Sequence, residues 1–111
     1  MLVQNIKIPQ DKITDFCQRW QIKELALFGS VLREDFKPDS DIDLLVTFAK
    51  NHQWTLFDFV DMEEQLEAIF NRKVDLVSKH GIEKSRNYIR RNNILESAEI
   101  IYTKAQENKI G

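Results

Sequence analysis

Between Asp41 and Phe48 the side chains alternate: Ile42, Leu44, Val46 and Phe48 hold one parity, Asp41, Asp43, Leu45 and Thr47 the other. A period of two belongs to an extended strand, whose successive side chains point to opposite sides of the sheet. The segment therefore predicts a strand with one wholly apolar side. Asp41 and Asp43 share the opposite side, with Cα atoms about 6.5 Å apart, two steps of strand rise. Ile42, Leu44, Leu45 and Val46 make the strand substantially buried, and two acids on a buried strand need counter-charge or a metal ion to be tolerable. The alternative is a solvent-exposed sheet edge that carries acids.

Helical and extended patterns interleave on either side, which predicts an α/β chain. Ile13, Phe16, Cys17 and Trp20 fall at i, i+3, i+4 and i+7, one face of a helix over 9–20 with Pro9 in its first turn. Glu24 to Phe28 is a short apolar run ended by Gly29 and Ser30, a buried strand entering a turn, with a short helix through Val31, Leu32 and Arg33 beyond. A turn at Lys37-Pro38-Asp39-Ser40 leads into the alternating strand. Thr55 with Asp58 three residues later is a capping arrangement, after which Leu56, Phe59, Met62, Leu66, Ile69 and Phe70 trace a helical stripe. Lys73 to Val77 predicts a third strand, Ile82 to Glu96 a mostly helical segment, and Ala98 to Tyr102 a short closing strand or helix end. No linker-like stretch and no repeat breaks the series, so residues 1–111 are expected to form one domain.

Size and charge narrow what such a domain can do. A chain of 111 residues buries roughly two-thirds of its unfolded surface, enough to stand alone and too little for a separate substrate-binding domain. Any large substrate surface is expected from a partner. The net charge of -2 is no footprint for nucleic acid, and direct nucleic-acid binding is not expected. Cys17 is the only cysteine, which excludes an intrachain disulfide and a cysteine-rich zinc site and leaves a reduced cytosolic thiol as the plain reading. Met1 to Pro9 lacks the pattern of a signal peptide, and no run approaches the roughly 20 apolar residues of a membrane span, so a soluble cytoplasmic protein without a membrane partner is expected.

The chemistry concentrates in Gly29-Ser30, ten intervening residues, then Asp41-Ile42-Asp43. Gly29 lets the backbone turn sharply and approach a ligand closely, while Ser30 and the next amides stand at a helix start, where unpaired N–H groups favour phosphate. The turn is not a P-loop, because no Gly-Lys-Ser/Thr follows. Neighbouring strands lie about 4.8 Å apart, so Asp75 brings a third carboxylate to the pair if its strand is adjacent. Clustered carboxylates repel, and a divalent ion relieves the conflict. Mg²⁺ suits such a set, since it takes one or two carboxylates together with waters and substrate phosphate oxygens. Arg33, one turn beyond Gly29, either holds a phosphate oxygen or pairs with Glu34, Asp35 or Asp39.

Phe28-Gly29-Ser30-Val31-Leu32-Arg33-Glu34-Asp35 through Ser40-Asp41-Ile42-Asp43-Leu44-Leu45-Val46 resembles the signature of the minimal nucleotidyltransferases (MNT) of the DNA polymerase beta superfamily. Lys73 to Val77 falls where that family's third acid is expected, and Ile94 to Tyr102 resembles its usual ending. The resemblance implies the nucleotidyltransferase fold, α/β (α+β), a small mixed β-sheet flanked by helices. It implies that Ser30 contacts the nucleotide phosphates, that Asp41 and Asp43 bind metal, and that Asp75 completes a catalytic triad working with two Mg²⁺ ions on ATP. For members this short it also implies an antitoxin that neutralises a HEPN-domain ribonuclease toxin by adding AMP to a toxin tyrosine. Two alternatives stay open: an antitoxin that acts by complex formation alone, and nucleotidyl transfer to a small molecule or an RNA end.

Other features carry less. Lys84, Arg86, Arg90 and Arg91 make the late helix basic, with Arg86 and Arg90 on one face, which reads as a solvated face or a docking surface. His52 and His80 lack metal-ligand spacing and are expected in surface loops. Trp54 and Phe57 are expected to pack at the core or helix start, or to form a partner patch, and Tyr88 and Tyr102 to lie at the core edge.

Overall fold

The computed structural model describes residues 2–3, 6–32, 40–49 and 54–104, with the side chains of 2, 3 and 30 excluded. Two short strands, β1 (Leu2–Val3) and β2 (Ile6–Lys7), pair antiparallel before α1 (Gln10–Arg19). Pro9 is the residue before the helix rather than part of its first turn, and Ile13, Phe16 and Cys17 form the buried stripe that the spacing predicts. β3 (Ile22–Phe28) follows and ends in a four-residue 3₁₀ turn, Gly29–Leu32. Next come β4 (Ile42–Phe48), α2 (Leu56–Phe70), β5 (Val74–Ser78), α3 (Lys79–Glu83), α4 (Tyr88–Ser97) and β6 (Glu99–Thr103).

The main sheet has the order β5-β4-β3-β6 and is mixed: β3 runs antiparallel to both β4 and β6, whereas β4 and β5 are parallel. A parallel pair needs a long crossover, and α2 supplies it. Its start is the expected capping box: the Asp58 amide donates to Thr55 Oγ1 at 3.2 Å and the Thr55 amide to Asp58 Oδ2 at 2.8 Å. Its end is Asn71 in the left-handed region at φ 57, a conformation that asparagine tolerates better than most residues.

The two sides of the sheet are covered unequally. On one side Ile22, Leu25, Leu27, Ile42, Leu44, Val46, Val74 and Leu76 pack with Ile13, Phe16 and Cys17 of α1 and Met62 and Leu66 of α2. Trp20 and Trp54 extend this core with rings 5.1 Å apart edge to face, and Trp20 Nε1 donates to Gln65 Oε1 at 3.0 Å. The other side holds a smaller cluster of Ala26, Phe28, Leu45, Ile82 and Ile94, capped by α3 and α4. No helix among the described residues is long and apolar enough to cross a membrane.

The late segment is mostly helical, as expected, in two pieces, α3 and α4, with a break between them. Ser85 Oγ accepts from the Asn87 amide at 3.2 Å and Asn87 Oδ1 from the Arg90 amide at 3.1 Å, so short polar side chains take over backbone partners and restart the helix at Tyr88. Arg86 therefore precedes α4 and shares no helical face with Arg90. His80 lies exposed on α3, not in a loop, while His52 is outside the described residues. Tyr102 is buried, but Tyr88 is 65% exposed, with the Arg91 guanidinium 4.7 Å from its ring centre. Trp54 packs as expected against Phe48 and Trp20, whereas Phe57, on the outer side of α2, is 82% exposed.

Candidate active site

The strands that carry Asp43 and Asp75 are neighbours in the sheet. In the register of the strands, Asp43 of β4 stands between Phe28 of β3 and Asp75 of β5. Adjacency of the third strand, on which Asp75 depended, is thus present, and the Asp43 and Asp75 Cα atoms are one strand spacing apart, about 4.8 Å. Ile42 is fully buried in the larger core, so by alternation Asp41 and Asp43 project to the opposite side, together with Leu45.

Burial of the acids is where the structure corrects the sequence reading. Asp41 and Asp75 are exposed and Asp43 is half-buried; among the described residues no charged side chain is buried. On this side of the sheet α3 and α4 cover Phe28 and Leu45, whereas Asp75 lies on the outer strand β5 and stays exposed. Exposure of Asp41 and Asp75 to water removes the desolvation cost that a buried acid would carry.

Gly29 sits against this row with φ +77, the left-handed region, and a Cβ there would collide with the Asp43 carboxylate at Oδ2. Both the turn and the close approach require glycine. Beyond it, Gly29–Leu32 form a 3₁₀ turn, the described part of the expected short helix, whose Arg33 lies outside the described residues. Ser30 lies in this turn, though its side chain is outside the described set, as is the whole of Arg33 with its alternative partners Glu34, Asp35 and Asp39.

A cleft of about 430 Å³ opens beside Gly29, lined by Phe28, Leu32, Ile94, Arg90, Asn93 and Ser97. Its volume is in the range of small-ligand sites, roughly 300–1,000 Å³. Arg90, Asn93 and Ser97 fall at i, i+3 and i+7 of α4, one polar stripe facing an apolar floor. Sequence reading saw only a basic helix here. The spacing was visible, but nothing local says that α4 folds back onto the Gly29 turn. Arg72 was also missed: its Nη1 lies 3.4 Å from the Ser40 carbonyl, while the Ile42 amide donates to the Lys73 carbonyl at 2.9 Å. Together these contacts fasten the chain on both sides of Asp41.

Among the described residues no group of three or more His, Cys, Asp or Glu side chains is drawn together into a metal site. The donors of Asp43 and Asp75 on the paired strands are carboxylate oxygens, and Gly29 leaves the space in front of Asp43 Oδ2 free of a side chain of its own. Carboxylate oxygens are the donor type a hard ion such as Mg²⁺ takes, one or two at a time, with water and phosphate oxygens completing the shell. Cys17 has no part in the site: it is fully buried in the larger core, and burial pushes its thiol up to about 12.

Residues 11–101 match the nucleotidyltransferase domain family. Protein adenylyltransferase MntA of Thermococcus cleftensis is 40% identical over 65 residues, 59% of this chain and 64% of that protein, so the chain spans less than two-thirds of the length of this relative. A toxin-antitoxin crystal structure with AMP-PNP superposes with a TM-score of 0.66 at 17% identity, covering 93% of this chain and 80% of the other. A complex of tri-AMPylated Shewanella oneidensis HEPN toxin with MNT antitoxin gives 0.58 at 17% identity, covering 91% and 75%. At these identities the two structures establish the fold.

Proposed function

The chain belongs to the nucleotidyltransferase domain family, and from that premise we propose that it is an antitoxin that transfers AMP from ATP to a tyrosine hydroxyl of a HEPN-domain ribonuclease toxin. The observation that carries the transfer is the row of Asp43 and Asp75 on paired strands, closed at one end by the Gly29 turn. The choice of acceptor is supported by the relatives, one of them a protein adenylyltransferase and another a structure that pairs an MNT antitoxin with an AMPylated HEPN toxin.

In this reading the backbone N–H groups of the Gly29–Leu32 turn, with Ser30, bind the triphosphate. The cleft takes the nucleoside, its base against Phe28 and Ile94 and its polar edge toward Arg90, Asn93 and Ser97. Asp41, Asp43 and Asp75 are the residues to hold Mg²⁺, which when bound supplies Lewis-acid stabilisation of the phosphate oxygens and a lower pKa for the acceptor hydroxyl. Asp75 accepts the hydroxyl proton, directly or through a water. The tyrosine oxygen forms a bond to the α-phosphorus as the bond to the departing pyrophosphate breaks in line. With Asp41 and Asp75 exposed, the site leaves the partner to cover it.

The test is to incubate the chain with ATP, Mg²⁺ and a HEPN-domain protein encoded beside it, and to weigh the partner by intact-mass spectrometry. Addition of AMP to the partner, lost with the Asp41→Asn, Asp43→Asn double variant, is the expected result. Neutralisation of the partner by that double variant as well as by the wild type would replace chemistry with stoichiometric binding. AMP found on an RNA end or a small molecule, with none on the partner, would move the acceptor.

A further inference from the structure

We infer that Glu63 and Glu67 of α2 are positioning residues for Asp75, a role that rests on the transfer reading above. β5 is an outer strand of the sheet. The Lys73 carbonyl accepts from the Ile42 amide, so by alternation the backbone of residues 73, 75 and 77 faces β4, and the amides of Val74 and Leu76 point away from the sheet. Those two amides are taken by carboxylates: Val74 N–H donates to Glu67 Oε2 at 3.2 Å and Leu76 N–H to Glu63 Oε2 at 2.9 Å. Glu63 and Glu67 are one helical turn apart, so a single face of α2 grips the strand at two points, one on each side of Asp75.

The side chains of Val74 and Leu76 are meanwhile fixed in the larger core, at 5% and 7% exposure. The backbone of residues 74–76 is thus held from three directions, by β4, by the core and by the two carboxylates. Only the Asp75 side chain is left projecting into solvent. Hydrogen bonds from N–H groups to ionised carboxylates are about twice as strong as neutral ones, which suits a grip meant to fix an atom's position. Covering an open strand edge against other chains is the simpler role for such carboxylates. The two roles differ in what they change: edge cover alters solubility and stability, whereas positioning alters metal affinity and kcat.

The experiment compares the Glu63→Met, Glu67→Met pair, which keeps helix propensity and bulk but has no good acceptor, with the Glu63→Gln, Glu67→Gln pair, which keeps an amide oxygen. Mn²⁺ binding is titrated by electron paramagnetic resonance with a non-hydrolysable ATP analogue present. The methionine pair should raise the Mn²⁺ midpoint and lower kcat by about 10-fold each, the scale seen when partners that orient metal ligands are removed. KM for ATP should stay within about two-fold, because the Gly29 turn is untouched, and the glutamine pair should recover most of both losses. A methionine pair with the wild-type midpoint and kcat overturns the inference while leaving the transfer reading intact. A wild type that binds no Mn²⁺ with the nucleotide overturns the reading and the inference with it. Should the methionine pair not fold, hydrogen exchange in the wild type decides. Val74 and Leu76 amides exchanging as slowly as that of Asp75 supports the grip, and exchange at the rate of open amides overturns it.

Discussion

The two sides of the sheet are made by the same strands and have opposite fates. On β4, Ile42, Leu44 and Val46 enter a core closed by two full helices, while one step along the chain Asp43 stands half in water and only Leu45 of its side is covered. The deep side is over-determined, with many apolar contacts fixing each strand. The shallow side has only the small cluster of Ala26, Phe28, Leu45, Ile82 and Ile94 under α3 and α4. The lesson is a division of labour by parity: one set of alternate residues sets strand position to within a rotamer, and the set between them is free to carry charge because it need not hold the fold together.

That division can be broken experimentally. The largest separation is expected from Asp43→Asn. If Asp43 belongs to the proposed catalytic set, transfer should fall at least about 10³-fold, with unfolding free energy within about 1 kcal/mol of the wild type. A denaturant midpoint that falls along with the activity would mean that the shallow side also carries stability. Next is Leu66→Ala on the deep side, which should cost about 3–4 kcal/mol in urea unfolding and leave the rate per folded molecule unchanged. Ile94→Ala in the shallow cluster should cost about 2 kcal/mol, the low end of its class, because fewer neighbours surround the cavity. Equal losses for Leu66→Ala and Ile94→Ala would erase the asymmetry. Gly29→Ala sharpens the border between the sides: the left-handed backbone costs about 1–2 kcal/mol for a residue with a Cβ, and displacement of the Asp43 carboxylate should reduce transfer by more than that stability loss explains.

The smallest effect is a pH dependence on the deep side. Burial raises the Cys17 thiol from 9.0 to about 12, so in the folded chain it stays protonated while the unfolded chain releases its proton. Stability from this group is complete below pH 9 and is lost as pH rises through 12. The loss approaches about 1.4 kcal/mol per pH unit between those values. Urea unfolding at pH 7, 9 and 10 should show the wild type falling relative to Cys17→Ala. Parallel curves would mean that the thiol is not sealed in.

Much of this was legible in the sequence because it is local. The alternation from Asp41 to Phe48, the Thr55 and Asp58 cap and the stripes of α1 and α2 are periodicities within one element, and each has its predicted element. The Asp43–Asp75 pairing was legible only as a condition, since it depends on which strands become neighbours. Burial of the acids was misread because alternation reports the side a residue faces and not what covers that side. The cleft, Arg72 and the grip of Glu63 and Glu67 on β5 were invisible for the same reason: each joins elements whose contact no single segment encodes.

The parallel pairing of β4 with β5 also dates the site within the life of the chain. Asp75 is 32 positions after Asp43, and a parallel partner can reach its place only after the crossover helix between them has folded back. As the polypeptide leaves the ribosome, β3 and β4 can form a hairpin-like pair that already displays Asp41, Asp43 and the Gly29 turn, but the third acid arrives a whole β-α-β unit later. On the proposed reading, catalytic competence would be a late event in biosynthesis, and a cotranslational encounter with a partner before that moment would meet a surface without the complete set of acids.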